Sequence, residues 1–327
     1  MRILIHIQWP VIAWSIPDTH AAELYSQFPE IEFVRAHNMA DAAAAIVDVD
    51  AAFTPILTPE MVTSAPRLRW VHSSAAAVEG LLPLSTLLER NVLVTNSKGI
   101  QAVAIAEHVM GGMLMLSRKF NRTLEAQRER RWMQNDLTND WPWLLSGKQM
   151  TIVGLGSIGI EIAKRATAFG IHVTGVRRNI AAPKPLCVDR VVGADQLDSA
   201  LDNCDLLVLS APGVGSTHRM IGASQIARLN RGALLVNVAR AGIVDDVIMR
   251  AALESGQLGG AVLDVFEREP LDPNDGLWAM KNVVLTPHSS GFRATHWDDV
   301  RDLFAENLRR YQRGEELLHQ VDLIAGY

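Results

Sequence analysis

The stretch Met150-Thr151-Ile152-Val153-Gly154-Leu155-Gly156-Ser157-Ile158-Gly159 decides the fold. A short strand-forming run passes without a break into G-x-G-x-x-G, and Ile162, Ala163, Ala166 and Phe169 follow with helical spacing. Each glycine answers a separate physical need. Gly154 permits the tight turn, Gly156 lets the backbone approach a pyrophosphate, and Gly159 lets the helix pack on the strand. The amides of Ser157 and Ile158 open the helix, where unpaired N–H groups and the macrodipole favour phosphate. Alone, this glycine pattern is no more than a turn. With a strand before it, a helix after it and a second strand at Ile171–Val176, it reads as a dinucleotide-binding βαβ unit.

The end of that second strand bears on the cofactor. A Rossmann unit places an acid ~20 residues beyond the glycines, bonded to the ribose 2′-hydroxyl. No Asp or Glu occurs here between Glu161 and Asp189, and the strand ends in Val176-Arg177-Arg178. Two guanidiniums suit a 2′-phosphate. The reading is therefore NADP(H) preferred with NAD(H) possible; the plainer alternative is two solvated surface arginines.

Outward from the turn, short apolar runs alternate with helical segments. Candidate strands are Ile3–Ile7, Ile31–Arg35, Ala51–Thr54, Trp70–Ser73 and Val92–Thr95. A second series comprises Met150–Val153, Ile171–Val176, Leu206–Leu209, Ala233–Val238, Gly260–Leu263 and Val283–Leu285. Two such series predict an α/β chain of two doubly wound domains with parallel sheets. The boundary falls near Asn96–Gly99. Residues 99–289 form the dinucleotide-binding domain, and residues 1–98 plus 290–327 form the substrate domain, with the substrate in the cleft between them. Gly99 to about Arg118 reads as a long helix crossing between domains. Trp132–Gly147 is irregular and interrupted by proline. Val300, Leu303, Phe304, Asn307, Leu308 and Tyr311 make one stripe of a C-terminal helix that returns to the first domain.

Composition narrows the function. The 327 residues suffice for two domains, 48% are hydrophobic and the net charge is −5. Nothing in that balance advertises nucleic acid or an anionic membrane. Cys187 and Cys204 have no metal-ligand or CxxC spacing, and no metal site is implied. The apolar N-terminus MRILIHI is too short for a signal or a span, so the expected compartment is the cytoplasm.

Three later strands end in groups able to do acid–base work. One ends in Asn237-Val238-Ala239-Arg240, the next in Asp264 to Pro270 and the last in Thr286-Pro287-His288. Open α/β sheets bind ligands at these ends. Hydride addition leaves negative charge on a carbonyl oxygen, which an imidazolium proton and a fixed guanidinium can meet. A neighbouring carboxylate favours the imidazolium and orients it. Taken singly, Arg240, Glu269 and His288 would each pass for a surface residue.

These segments resemble the D-isomer-specific 2-hydroxyacid dehydrogenases, and in particular glyoxylate/hydroxypyruvate reductases. GLGSIG, NVARAGIVDD, LDVFEREP and LTPHSSG carry the resemblance, together with WVHSSAAAVEGLL, NSKGIQAVAIAEH and LLSGKQMTIVG. It covers most of the chain beyond about Ala51. It implies a Rossmann cofactor domain inserted into a flavodoxin-like substrate domain, and reduction of a small 2-oxo acid to the D-2-hydroxy acid. By the same resemblance Arg240 binds the substrate's carboxylate and oxo group, His288 is the acid in reduction, and Glu269 pairs with His288. Asp264 holds the nicotinamide carboxamide, Ala239 lies on the cofactor side, and the backbone at Ala76 and Ala77 holds the substrate carboxylate. Phe53 and Thr54 line the cleft, and His108 serves packing or interdomain bonding. The family's substrate loop is usually glycine-rich. Here it carries alanines, with Glu79 where Asp is common and Ala241 where Gly is usual. The methyls narrow or reshape the pocket. The resemblance also implies a homodimer built on the cofactor domain, with Trp132–Leu145 as its candidate interface. The alternatives are a nucleotide-binding regulatory protein and a phosphonate dehydrogenase of the same superfamily. Formate dehydrogenases lack the carboxylate at Glu269.

Overall fold

In the computed structural model residues 1–81 and 83–326 are described, so Leu82, the last residue of WVHSSAAAVEGLL, lies outside the described residues. The chain divides into two compact units, Met1–Ile100 with Phe292–Tyr327, and Gln101–Gly291. The first holds strands β1 (Arg2–Ile5), β2 (Glu32–Arg35), β3 (Ala51–Phe53), β4 (Trp70–Ser73) and β5 (Leu93–Asn96). The second holds β6 (Gln149–Val153), β7 (His172–Val176), β8 (Arg190–Val192), β9 (Leu206–Leu209), β10 (Ala233–Asn237), β11 (Leu258–Leu263) and β12 (Val283–Leu285).

Strand order in the first sheet is β2-β1-β3-β4-β5, and in the second β12-β11-β10-β9-β6-β7-β8. Every pairing between these strands is parallel. These are the flavodoxin-like and Rossmann orders, and the reversal of direction falls between β1 and β3 in one sheet and between β6 and β9 in the other. The fold is thus α/β, a Rossmann domain inserted into a flavodoxin-like one.

The strands of the second sheet are apolar on both faces. Ile152, Leu207, Val208, Leu235, Val236 and Val262 are all fully buried, which requires helices on both sides. The helix Ala102–Ser117 buries Ala106, Val109 and Met113 there. Gly112 lets it lie close, since a Cβ at that position would stand 2.6 Å from Val262 Cγ1. This helix lies wholly within the second unit and does not span the junction at Ile100–Gln101. A second helix, Phe120–Arg128, follows.

In the first unit the helix His296–Arg313 covers the sheet. Phe304 stacks on Phe53 with ring centroids 4.1 Å apart, and Trp70 stacks on both Phe304 and Tyr311. The C-terminal segment then protects the β5 edge, with Val321 N donating to Val94 O at 2.9 Å and Asn96 N to His319 O at 3.1 Å. Among the described residues, no helix is long and apolar enough to cross a membrane.

Candidate active site

The glycines of the turn take up the tasks their spacing sets. Gly154 has a φ of 102°, and a Cβ there would stand 2.4 Å from Ala211 N. A Cβ on Gly159 would stand 2.2 Å from Gly154 O, whereas one on Gly156 would meet nothing within 4 Å. Gly154 and Gly159 are therefore fixed by the protein itself, and Gly156 opens space in front of the helix Ser157–Ala168. The first helical bond to Gly156 O comes from Ile160 N at 2.9 Å, which leaves the amides of Ser157 and Ile158 ahead of it for a ligand. The turn fits a pyrophosphate.

Just past β7 the two arginines differ. Arg177 Nη2 donates to the carbonyls of Ala182 and Pro183, and its Nε is buried without a hydrogen-bond partner. Arg177 therefore ties down its own loop. Arg178 stands exposed at the surface.

Arg240, Glu269 and His288 follow β10, β11 and β12, three neighbouring strands. Asn237 shapes the first of these turns: its Nδ2 donates to Arg240 O at 3.0 Å, and its Oδ1 accepts from Ala239 N at 3.1 Å. Arg240 Nη1 donates to Ala239 O at 2.8 Å. Gly213 makes room for the arginine, because a Cβ there would stand 2.5 Å from Arg240 Cγ. His288 Nδ1 lies 2.7 Å from Glu269 Oε2. A carboxylate only accepts, so Nδ1 carries the hydrogen and Nε2 is left to face chemistry. The other oxygen of Glu269 accepts from Phe266 N at 2.9 Å, which fixes the carboxylate in its loop.

Asp264 is 1% exposed, and its carboxylate is taken up by the loop that carries His288. Oδ1 accepts from Thr286 Oγ1 at 2.6 Å and Ser289 N at 2.9 Å, and Oδ2 from Ser290 N at 3.0 Å. These bonds grip both sides of His288, whose φ of 51° is uncommon for a side-chain-bearing residue. Thr286 gives its hydrogen to Asp264 and so accepts from His108 Nε2 at 3.1 Å. The resemblance puts Asp264 on the nicotinamide carboxamide; the geometry gives it this bracing task. The His108 bond lies inside the second unit and joins no two domains. Gly213, Asn237 and Thr286 were not singled out as supports, although each sits at a strand end, where the sequence could have flagged them. Among the described residues, no cluster of His, Cys, Asp or Glu could hold a metal ion.

In the first unit, the loop after β4 spends three successive carbonyls on the protein. Ala75 O accepts from Ser97 N at 3.1 Å, Ala76 O from Asn96 Nδ2 at 2.8 Å and Ala77 O from Ser73 Oγ at 3.3 Å. Among the described residues, no protein acceptor takes the Ala76 and Ala77 amides. Successive amides set free in this way can receive an anion. Phe53 and Thr54 do not line any open surface: both are fully buried, Phe53 under Phe304, and Thr54 Oγ1 donates to Ile56 O at 2.9 Å.

Comparison with known proteins agrees with this geometry. The sequence profile of the D-isomer specific 2-hydroxyacid dehydrogenase NAD binding domain matches residues 110–290. A glyoxylate reductase of Korarchaeum cryptofilum is 31% identical over 282 residues, covering 83% of this chain and 82% of that protein. A glyoxylate reductase of Aeropyrum pernix is 32% identical over 265 residues, covering 78% and 77%. Among solved structures, a D-isomer specific 2-hydroxyacid dehydrogenase of Xanthobacter autotrophicus in complex with NADPH and MES superposes with a TM-score of 0.83 at 28% identity, covering 99% of both chains. On this evidence the chain belongs to the D-isomer specific 2-hydroxyacid dehydrogenases, with an NAD-binding Rossmann domain.

Proposed function

We propose that this dehydrogenase uses NADPH to reduce a small 2-oxo acid to the D-2-hydroxy acid, with glyoxylate and hydroxypyruvate as its first candidate substrates. One observation carries the reading: His288 and Glu269 are paired at 2.7 Å on strand ends next to the one that presents Arg240. The nicotinamide, when bound, supplies the hydride. The protein's share is to meet the negative charge that forms on the substrate oxygen. His288 Nε2 delivers the proton, and Glu269 balances the imidazolium. Arg240 engages the oxo group and carboxylate through its planar fork. Asp264, through Thr286, Ser289 and Ser290, keeps His288 in place.

In this reading residues 99–289 bind the cofactor, through Gly154, Gly156, Ser157, Ile158 and Gly159 on the pyrophosphate and Ala239 beside it. Residues 1–98 plus 290–327 receive the substrate, with the Ala76 and Ala77 amides on its carboxylate. Two copies pair through the second unit. Trp132, Trp141 and Leu144, exposed at 89%, 68% and 66%, support that surface, since large apolar side chains this exposed gain most from being covered.

Arg240→Lys tests the substrate clamp. An ammonium lacks the planar fork. Losing one charge-assisted bond of about 1.5–3 kcal/mol lowers kcat/KM by roughly tenfold to a hundredfold. The loss should appear in both kcat and KM in steady-state assays with glyoxylate, while the NADPH Kd holds. A lysine variant with wild-type kcat/KM removes Arg240 from the site.

A further inference from the structure

A line of buried hydrogen bonds runs beneath the loop after β4. Trp70 Nε1 donates to Thr95 Oγ1 at 2.9 Å, and Thr95 Oγ1 lies 2.7 Å from His72 Nδ1. His72 Nε2 lies 3.4 Å from Ser97 Oγ, which donates to Ser73 O at 2.9 Å. Donor and acceptor chemistry sets the direction. A carbonyl only accepts, so Ser97 spends its one hydrogen on Ser73 O and can only accept from His72 Nε2; the neutral ring then takes the Thr95 hydrogen at Nδ1 while Thr95 accepts from the indole. His72 therefore carries its hydrogen on Nε2 and gives it to Ser97, which passes its own to the Ser73 carbonyl. The imidazole stays neutral in ordinary buffers, because complete burial, helped by nearby His319, pushes its pKa down to about 3.

The line ends on the residues that shape the loop. Ser97 also donates its backbone N–H to Ala75 O, and its neighbour Asn96 holds Ala76 O. Ser73 Oγ accepts from Ala75 N at 3.2 Å and donates to Ala77 O. β4 and β5 pair here with His72 opposite Thr95 and Ser73 opposite Asn96. A buried imidazole is costly unless its nitrogens are paired, and an apolar side chain would fill the same space without that cost. What the histidine adds is direction: it fixes the rotor of Ser97.

We infer that His72 is a positioning residue for the substrate. Through Ser97 it holds the loop in the one arrangement that turns the Ala75, Ala76 and Ala77 carbonyls inward and leaves the Ala76 and Ala77 amides for a carboxylate. The inference rests on the reading above that these amides receive the substrate's carboxylate. It separates His72 from the proton chemistry: binding of the 2-oxo acid depends on it, and proton delivery does not.

Three variants test it. His72→Asn keeps an acceptor for Thr95 but no donor for Ser97. Ser97→Ala removes the hydroxyl. His72→Gln places an amide N–H near the former Nε2. The Asn and Ala variants should raise the KM for glyoxylate roughly tenfold, the factor one net hydrogen bond is worth. Their kcat, pH profile and NADPH Kd should stay near wild type, and Gln should restore most of the KM. The double variant H72N/S97A should be no worse than either single one, since both cut the same link. Independently of any substrate, hydrogen exchange of the Ala75 and Ser97 amides, which the loop's own hydrogen bonds protect, should quicken in the Asn and Ala variants and recover in Gln. Unchanged exchange in the loop overturns the role of His72, as do parallel losses of kcat and thermal midpoint that Gln does not rescue. Faster loop exchange with an unchanged KM overturns the proposal at its other end, because the loop is then ordered by His72 but does not hold the substrate.

Discussion

His288→Ala lowers the rate of 2-oxo acid reduction by about 10²–10⁴-fold, the usual contribution of a positioned general acid. The NADPH Kd stays near wild type, because the pyrophosphate turn Gly154–Gly159 belongs to other strands of the sheet. The geometry behind this expectation is specific. Glu269 takes the Nδ1 hydrogen at 2.7 Å and is itself held by Phe266 N, so the ring has one orientation and one nitrogen to offer. Asp264 holds the two backbone amides that follow the ring's residue, and the Thr286 hydroxyl before it. Single-turnover reduction rates and NADPH Kd, measured for wild type and the alanine variant, check both points. An alanine variant that keeps its rate removes His288 from the chemistry.

NADPH should be preferred over NADH by roughly tenfold to a thousandfold in kcat/KM at low salt, if an arginine at the end of the second Rossmann strand meets the 2′-phosphate. A charge-assisted bond contributes about 1.5–3 kcal/mol, and each ~1.4 kcal/mol is a factor of ten. Exposure and salt reduce that contribution, so the preference shrinks as ionic strength rises. The two arginines should not share it equally. Arg177 is half-buried and ties down its loop through the carbonyls of Ala182 and Pro183, whereas the Arg178 side chain reaches the surface at the strand end. Arg178→Ala should remove most of the preference. Arg177→Ala should loosen the loop 177–183 and weaken both cofactors. The 2-oxo acid KM should change little in either variant. Initial rates with each cofactor give the ratio directly. Equal kcat/KM for NADH and NADPH at low salt reduces both arginines to surface charge.

The fold was legible because its signals are local. The run from Met150 to Gly159 writes strand, turn and helix in consecutive residues, and ten further apolar runs mark strands of the two sheets. The strand Arg190–Val192 escaped because two valines beside a charged residue carry no period. In the sequence the segment 99–118 looks like a crossing element, because apolarity shows that a helix is buried and not which core buries it; the helix Ala102–Ser117 packs in the second unit.

The candidate catalytic residues stood out because they follow strands at ligand-binding ends, and only the fold brings β10, β11 and β12 side by side. Their supports did not stand out. Nothing in Asp264 announces whether its carboxylate meets a ligand or the amides of Ser289 and Ser290. Nothing in Gly213 announces the side chain of Arg240, which lies 27 residues on in the chain. The His72–Ser97 link joins two strands, and its direction follows only from donors and acceptors seen together.

Reduction of small 2-oxo acids at the expense of NADPH is the activity we propose. The most direct test follows NADPH consumption by the purified wild-type protein with glyoxylate, hydroxypyruvate, pyruvate and bulkier 2-oxo acids, alongside reduction of NADP with phosphite. The expected result is turnover with one or more of the small 2-oxo acids, loss of that turnover in His288→Ala, and none with phosphite. Tight NADPH binding without turnover of any 2-oxo acid, or turnover with phosphite alone, would contradict it.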